Sequence, residues 1–100
     1  MTVTIKENGE QTVVVLVGEL DTVAATETEK ALQPIVQGDK KDIVLDCTEM
    51  PYIASSGLRL FLALLKAVKN RGGMVTLKGV NDDIMSVLKV TGFNSMFKFA

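Results

Sequence analysis

The residues of this sequence best suited to chemistry are two adjacent serines, Ser55 and Ser56, which stand at the beginning of a long helical pattern. Hydroxyls at a helix start lie beside backbone amides that have no partner within the helix, and the helix dipole favours an added anion there. Either serine therefore fits two roles. It can cap the helix, or it can accept a phosphoryl group of about 1.5 to 2 negative charges while the scaffold stays folded.

The composition excludes most designs in which a serine is a catalytic nucleophile. The chain has no histidine and one cysteine, Cys47, so Ser-His-Asp and Cys-His pairs, imidazole metal ligands, internal disulfides and cysteine-rich zinc sites are excluded. No Gly-x-Ser-x-Gly elbow surrounds the serines, and no glycine-rich nucleotide motif is present. We expect no catalytic residue, metal or cofactor, and we interpret Cys47 as a small buried hydrophobe. Binding of a small ligand stays open.

Charge and hydropathy narrow the choice of partners. With 11 basic and 12 acidic residues the net charge is −1, which gives no field to hold a polyanion, so we expect no direct contact with nucleic acid. The first residues lack the order of a secretory signal, and no apolar run approaches the roughly 18 residues of a membrane span. The sequence therefore predicts a cytoplasmic protein with no membrane partner, folded as one domain over residues 1–100.

The first third of the chain predicts a hairpin followed by a helix. Alternation over residues 2–7 and the turn pair Asn8-Gly9 indicate a strand and a tight turn. The continuous β-branched run 12–17 predicts a central strand covered on both faces or nearly so. Asp21 or Thr22 then caps a helix, in which Pro34 predicts a kink or tightened end near residues 30–33, with Gly38 closing it.

The remaining elements alternate between strands and helices. They are a buried strand at 42–47, a helix from Ser55 or Ser56 to Arg71, a strand at 74–78, a helix between Asn81 and Gly92, and a short strand within 96–99. Helices that separate successive strands require parallel pairing with right-handed crossovers. The predicted fold is thus an α/β domain with a mixed sheet of four to five strands, an antiparallel N-terminal hairpin and about three helices.

The long second helix carries leucines over about twice the arc that packing on one sheet face requires. Neighbouring helices that cover its flanks would explain this. Alternatively Leu60 and Leu64, at one edge of the arc, belong to a surface that another protein covers.

Four segments together resemble the STAS domain of bacterial anti-sigma factor antagonists, in order and in spacing. They are Gly18-Glu19-Leu20-Asp21, Ile43-Val44-Leu45-Asp46, Tyr52-Ile53-Ala54-Ser55-Ser56-Gly57-Leu58 and Leu88-Lys89-Val90-Thr91-Gly92-Phe93. The resemblance covers nearly the whole chain, and the serine-glycine loop is its most specific part. It implies a binding protein, not an enzyme, whose partner is an anti-sigma factor that is also a serine kinase. Binding displaces the sigma factor so that transcription can proceed.

By the same resemblance the kinase phosphorylates the serine two residues before the loop glycine, which falls on Ser55, with Ser56 as the second candidate. Phosphorylation weakens binding and a serine phosphatase restores it. The expected partner-binding residues are Asp21, Thr22, Ala54, Ser55, Ser56, Gly57, Arg59 and Leu60. The sequence departs from the pattern at Ala54, where such antagonists often carry aspartate, and this leaves the kinase and the rate of phosphorylation open.

Two other functions are compatible with the same elements. One is a scaffold or assembly subunit that does not switch, in which both serines are caps. The other is a receiver-like domain phosphorylated on Asp46, which would need further acids to hold magnesium and has only Glu19 and Asp21 at the preceding strand ends.

Overall fold

A five-stranded mixed sheet and three α-helices form the fold, in a computed structural model that describes residues 1–100. The elements are β1 Thr2–Asn8, β2 Gln11–Val17, α1 Thr22–Val36, β3 Asp42–Glu49, α2 Ser55–Asn70, β4 Met74–Lys78, α3 Asp82–Thr91, a 3₁₀ turn Phe93–Ser95 and β5 Lys98–Phe99. The strands lie side by side in chain order. Only β1 and β2 are antiparallel. The predicted α/β class, mixed sheet, hairpin and three helices are confirmed.

The hairpin turn lies one residue later than predicted. Asn8 pairs with Gln11, so the two loop residues are Gly9 and Glu10, and the predicted pair Asn8-Gly9 is wrong. Gly9 has a φ of +63°, and no residue other than glycine in the chain has a positive φ. Glycine at the first loop position matches the left-handed requirement of a type II′ hairpin turn.

The three helices cover one face of the sheet. Val14 and Leu16 of β2 are fully buried and share one apolar cluster with residues of all three helices, for example Leu32, Phe61 and Leu88. The alternate β2 side chains, from Gln11 to Val17, are only half-buried. No residue of β2 is exposed, so the predicted cover on both faces or nearly so holds, complete on the helix face and partial on the other.

Helix α1 begins at the predicted cap and closes directly before Gly38. Asp21 is its N-cap, and the Asp21 side chain accepts a hydrogen bond from the Ala24 N–H at 2.8 Å. The helix continues through Pro34 to Val36 and is capped by Gln37, so it closes directly before Gly38 as predicted, whereas the tightened end expected near residues 30–33 is wrong. Pro34 falls in the last turn, where the loss of one backbone hydrogen bond costs little of the helix.

Arg71 supplies the contact that sustains the end of α1. Its guanidinium donates hydrogen bonds to the carbonyls of Ile35 at 2.9 Å, Val36 at 3.1 Å and Lys40 at 2.8 Å. Carbonyls in a last helical turn have no partner within the helix, and a cation there also complements the helix dipole. A residue at the far end of α2 therefore satisfies carbonyls at and just beyond the end of α1.

The broad leucine arc of α2 is explained by burial within the protein. Leu64 is fully buried and Leu60 is 7% exposed, because α1 packs along α2. The explanation by neighbouring helices is confirmed, and the expectation that Leu64 lies on a surface for another protein is wrong.

No helix of the chain has both the length and the apolar composition needed to cross a lipid bilayer.

Candidate functional site

The loop after β2 and the loop after β3, at the carboxyl ends of these neighbouring parallel strands, are joined by backbone hydrogen bonds. The Leu20 N–H donates to the Tyr52 carbonyl at 2.9 Å, and the Ala54 N–H donates to the Leu20 carbonyl at 2.8 Å. Leu20 and Ile53 form a parallel bridge between these bonds. The residues that follow each loop, Asp21 and Ser55, are consequently held at adjacent helix starts.

Gly57 allows the first turn of α2 to lie directly on this junction. A Cβ atom at Gly57 would lie 2.8 Å from Leu20 Cγ and 2.9 Å from Ile53 Cγ1, closer than side-chain atoms approach. Leu20 is fully buried and Ile53 nearly so, which leaves them little room to move. Gly57 is therefore a close-packing position. Its contact with the loop fixes the distance of Ser55, two residues earlier, from that loop.

The helix-capping role predicted for the serines is wrong. The N-cap of α2 is Ala54, which makes no side-chain capping bond, and Ser55 and Ser56 are its first two helical residues. A methyl group in the cap position leaves the first amides of the helix without a side-chain acceptor. The helix start is thus open to an anion that arrives from outside or is added to Ser55.

The two serines have different surroundings. Ser55 is exposed. Ser56 is partly covered, and its Oγ is buried without a hydrogen-bond partner. A buried hydroxyl without a partner costs free energy of order 1–3 kcal/mol. Only Ser55 therefore presents its hydroxyl to solvent.

A groove of about 390 Å³ lies between α1 and α2 beside these serines. Its lining consists of Thr22, Ala25, Thr26, Glu29, Ser56, Arg59, Leu60 and Ala63. Four residues predicted to bind a partner, namely Thr22, Ser56, Arg59 and Leu60, are thus brought together. Arg59 and Glu29 are the only charged residues among the eight, and they belong to opposite walls.

The other predicted residues lie around the groove. Asp21 lines a separate shallow depression with Glu19 and Val23 on the other side of the α1 start. Ala54 and Ser55 stand at the start of α2, and Gly57 is buried beneath it. The structure therefore places Asp21 and Ser55 at adjacent helix starts but outside the groove lining.

Sequence reasoning missed Thr26 and Glu29. They follow Thr22 at intervals of four and three residues, which puts all three on one stripe of α1. A search for a polar stripe that begins at a helix cap would have found them.

Asp46, the acceptor of the receiver-like alternative, has a local structural role. Its Oδ1 accepts hydrogen bonds from the Thr48 hydroxyl at 2.6 Å and from the Thr48 N–H at 3.1 Å. The bond from the hydroxyl is the main reason that the pKa of Asp46 lies below its ordinary value. No group of three or more Asp, Glu, His or Cys residues is arranged to hold a metal ion. Nothing in these contacts favours a receiver site.

Cys47 lies in β3 with 1% of its surface exposed. Burial, with a smaller contribution from Asp46, raises the pKa of its thiol to about 12. The interpretation of Cys47 as a buried hydrophobe is confirmed.

These features define a class of protein: a two-layer α/β domain that presents an exposed serine at one helix start, next to a second helix start and a polar groove. The chain belongs to the STAS domain family, which matches residues 2–100. The resemblance predicted from the four sequence segments is confirmed.

Individual relatives support this membership. The anti-sigma-B factor antagonist of Staphylococcus aureus (strain NCTC 8325 / PS 47) is 33% identical over 79 residues, which cover 79% of this chain and 73% of the relative. A crystal structure of an anti-sigma factor antagonist from Mycobacterium paratuberculosis superposes with a TM-score of 0.87 at 21% identity, covering 98% of this chain and 83% of that one.

The Bacillus cell fate determinant SpoIIAA in its phosphorylated form superposes with a TM-score of 0.77 at 22% identity, over 99% of this chain and 91% of that one. At this level of identity both structural matches establish the fold that is shared.

Proposed function

We propose that this chain is an anti-sigma factor antagonist of the cytoplasm, which binds a serine-kinase anti-sigma factor and releases it when Ser55 is phosphorylated. The observation that carries the proposal is the start of α2, where an exposed serine follows an N-cap without a side-chain acceptor. The chain supplies no catalytic group. A serine phosphatase restores the binding form.

Exposure favours Ser55 over Ser56 as the acceptor. The kinase transfers the terminal phosphoryl group of ATP to the serine Oγ, so that a new P–O bond forms, ADP leaves and the hydroxyl proton is released. This reaction requires a hydroxyl that a second active site can reach, and the Oγ of Ser56 is buried. The family pattern, in which the acceptor lies two residues before the loop glycine, implies the same residue.

The charge of the phosphate accounts for release. A phosphoserine adds about 1.5 to 2 negative charges at a surface that also carries Asp21 at the neighbouring helix start. Negative charge introduced into an interface weakens the binding of a partner whose surface is complementary to the unphosphorylated chain. Because the first amides of α2 have no side-chain acceptor, they can receive the phosphate without rearrangement of the fold.

The relatives add independent support. The Staphylococcus aureus relative is named an anti-sigma-B factor antagonist, and SpoIIAA is known in a phosphorylated form with the same fold. The proposed partner surface joins the α1–α2 groove to the two helix starts. It comprises Asp21, Thr22, Ala54, Ser55, Ser56, Arg59 and Leu60, and the buried Gly57 supports it from beneath.

Phosphorylation by a serine-kinase anti-sigma factor from the same genome tests the proposal. Incubation with the kinase and ATP, followed by peptide mass spectrometry, should place one phosphate on Ser55, and Ser55→Ala should abolish the incorporation. Ser86→Ala is the matched control, since Ser86 is an exposed serine of α3 that lines neither the α1–α2 groove nor the depression at the start of α1. Phosphate that persists in Ser55→Ala would show that the acceptor is another residue. A non-switching scaffold predicts stable partner binding with no incorporation.

A further inference from the structure

Arg59 lies one helical turn after Ser55 on the same side of α2. Both residues are exposed, and residues four apart on a helix have Cβ atoms about 5–6 Å from each other. Long helical side chains also tend to lean toward the N-terminus of their helix, so an arginine at position 59 can reach back toward Ser55. This spacing brings a cation within reach of any group attached to the Ser55 Oγ.

We propose that Arg59 is the intramolecular partner of phosphorylated Ser55 and that this ion pair is part of the switch. The inference rests on the proposed phosphorylation of Ser55. Arginine presents a planar fork of donors that matches two phosphate oxygens, and charge-assisted pairs of this kind are the stronger hydrogen bonds of proteins. The pair needs no movement of the backbone, because both residues already occupy one straight turn.

The consequence is a double change at the partner surface. Arg59 is the only cation that lines the α1–α2 groove. In the unphosphorylated chain it is available to an acidic group of the partner. After phosphorylation the surface gains an anion and its one cation is neutralised by that anion, so that both changes disfavour an acidic partner surface.

Two carboxylates on α1 oppose this pair. Glu29 belongs to the wall of the groove opposite Arg59, and Asp21, the N-cap of α1, lies at the helix start adjacent to Ser55. Both carboxylates disfavour a second negative charge on the phosphate, whereas Arg59 favours that charge. The amides at the start of α2 also favour the dianion. The effects of Glu29, Asp21 and the amides are the same in every variant at position 59. A comparison of these variants therefore isolates the effect of Arg59 on the phosphate.

The test uses phosphoserine installed at position 55 during translation, so no kinase is required. The pH dependence of the ³¹P NMR shift reports the second ionisation of the phosphate, whose ordinary pKa is about 6. We expect this pKa to be about 0.5 to 1 unit lower in the wild-type background than in Arg59→Gln, since each unit reflects about 1.4 kcal/mol of differential interaction. Arg59→Lys should retain part of the difference.

Lys66→Gln is the matched control. It removes the same charge from an exposed position of α2, but it lies 11 residues beyond Ser55, about 16 Å along the helix and beyond the Debye length of about 8 Å. It should leave the phosphate pKa at the wild-type value. Amide NMR spectra of each phosphoprotein verify that it is folded.

Equal phosphate pKa values in wild type and Arg59→Gln would overturn the proposal. An equal rise in Arg59→Gln and Lys66→Gln would also overturn it, because the effect would then follow from net charge. Neither outcome bears on whether a kinase modifies Ser55, so failure of the ion pair and failure of the proposed function are distinguishable.

Discussion

At the scale of single residues, Ala54 occupies the N-cap position of α2 and Ser55 carries the exposed hydroxyl. In other helices one side chain often fills both roles. In many helices the first hydroxyl or carboxylate accepts a hydrogen bond from a backbone amide of the first turn, and its oxygen is then occupied by that contact. Here the cap position carries a methyl group, and the serine one residue later is exposed. The hydroxyl is consequently left for a second protein to modify, and the amides are left for the group that the modification adds.

This assignment predicts the effect of Ala54→Asp. An aspartate in the N-cap position should accept a hydrogen bond from the first turn of α2 and raise the free energy of unfolding of the unphosphorylated protein by about 0.5 to 2 kcal/mol. Thermal denaturation with and without phosphoserine at position 55 measures this. The gain should shrink in the phosphoprotein, because the new carboxylate competes with the phosphate for the same amides. A destabilised unphosphorylated variant would contradict the assignment of Ala54 as the cap.

The sign of the change in the free energy of unfolding on Gly57→Ala distinguishes close packing at this position from free space. Alanine exceeds glycine in helix propensity by about 1 kcal/mol, so Gly57→Ala would stabilise a helix with free space at this point. The close approach to Leu20 and Ile53 predicts the reverse, a loss of about 1–3 kcal/mol in the free energy of unfolding. Urea denaturation measures it, and Ala63→Gly, on an exposed part of α2, calibrates the propensity contribution. A stabilised Gly57→Ala would remove the packing argument.

Cys47 makes stability depend on pH in the alkaline range. Its thiol has a pKa near 9.0 when unperturbed and about 12 in the folded chain, so folding favours the neutral form. That contribution is fully present below pH 9 and is lost between about pH 9 and 12, at up to about 1.4 kcal/mol per pH unit. Cys47→Ala should lose less stability over this interval than wild type. Parallel denaturation curves at pH 7 and pH 10 compare them, and identical losses would contradict the burial of the thiol.

At the scale of elements, contacts distant in sequence explain where the predictions from sequence failed. The pattern around Pro34 indicated a kink or a tightened end of α1 near residues 30–33, because a proline perturbs a helix locally. The observed helix runs on to Val36, whose carbonyl accepts a hydrogen bond from Arg71, 35 residues further along the chain, and no local pattern contains that contact. The starts of α1 and α2 were predicted correctly to within a residue, since the signals for helix starts are local.

The role of Arg71 is testable at this scale. Arg71→Ala removes three hydrogen bonds from a guanidinium to main-chain carbonyls and should lower the free energy of unfolding by about 1.5–3 kcal/mol. Hydrogen exchange should show faster opening of the last turn of α1, while the first turn at Asp21 stays protected. Lys69→Ala, an exposed cation of the same helix end, is the control. Equal effects of the two substitutions would mean that charge alone stabilises the region.

At the scale of the whole molecule, the sheet brings two helix starts to one edge and packs all three helices on one face. The sequence alone predicted the α/β class, the hairpin and the serine loop, because each has a local pattern. It did not predict the groove between α1 and α2, whose walls come from Thr22, Thr26 and Glu29 on one helix and Ser56 and Arg59 on the other. Such a feature depends on how two helices pack, which periodicity within each helix does not specify.

The most direct test of the account is the affinity of a serine-kinase anti-sigma factor for the chain with and without phosphoserine at position 55, measured by isothermal titration calorimetry. The account predicts tight binding of the unmodified chain and at least about tenfold weaker binding of the phosphoprotein, equivalent to about 1.4 kcal/mol or more. Phosphoserine at position 86 on α3 should leave the affinity unchanged. Equal affinities of the unmodified chain and the chain phosphorylated at Ser55 would contradict the central claim.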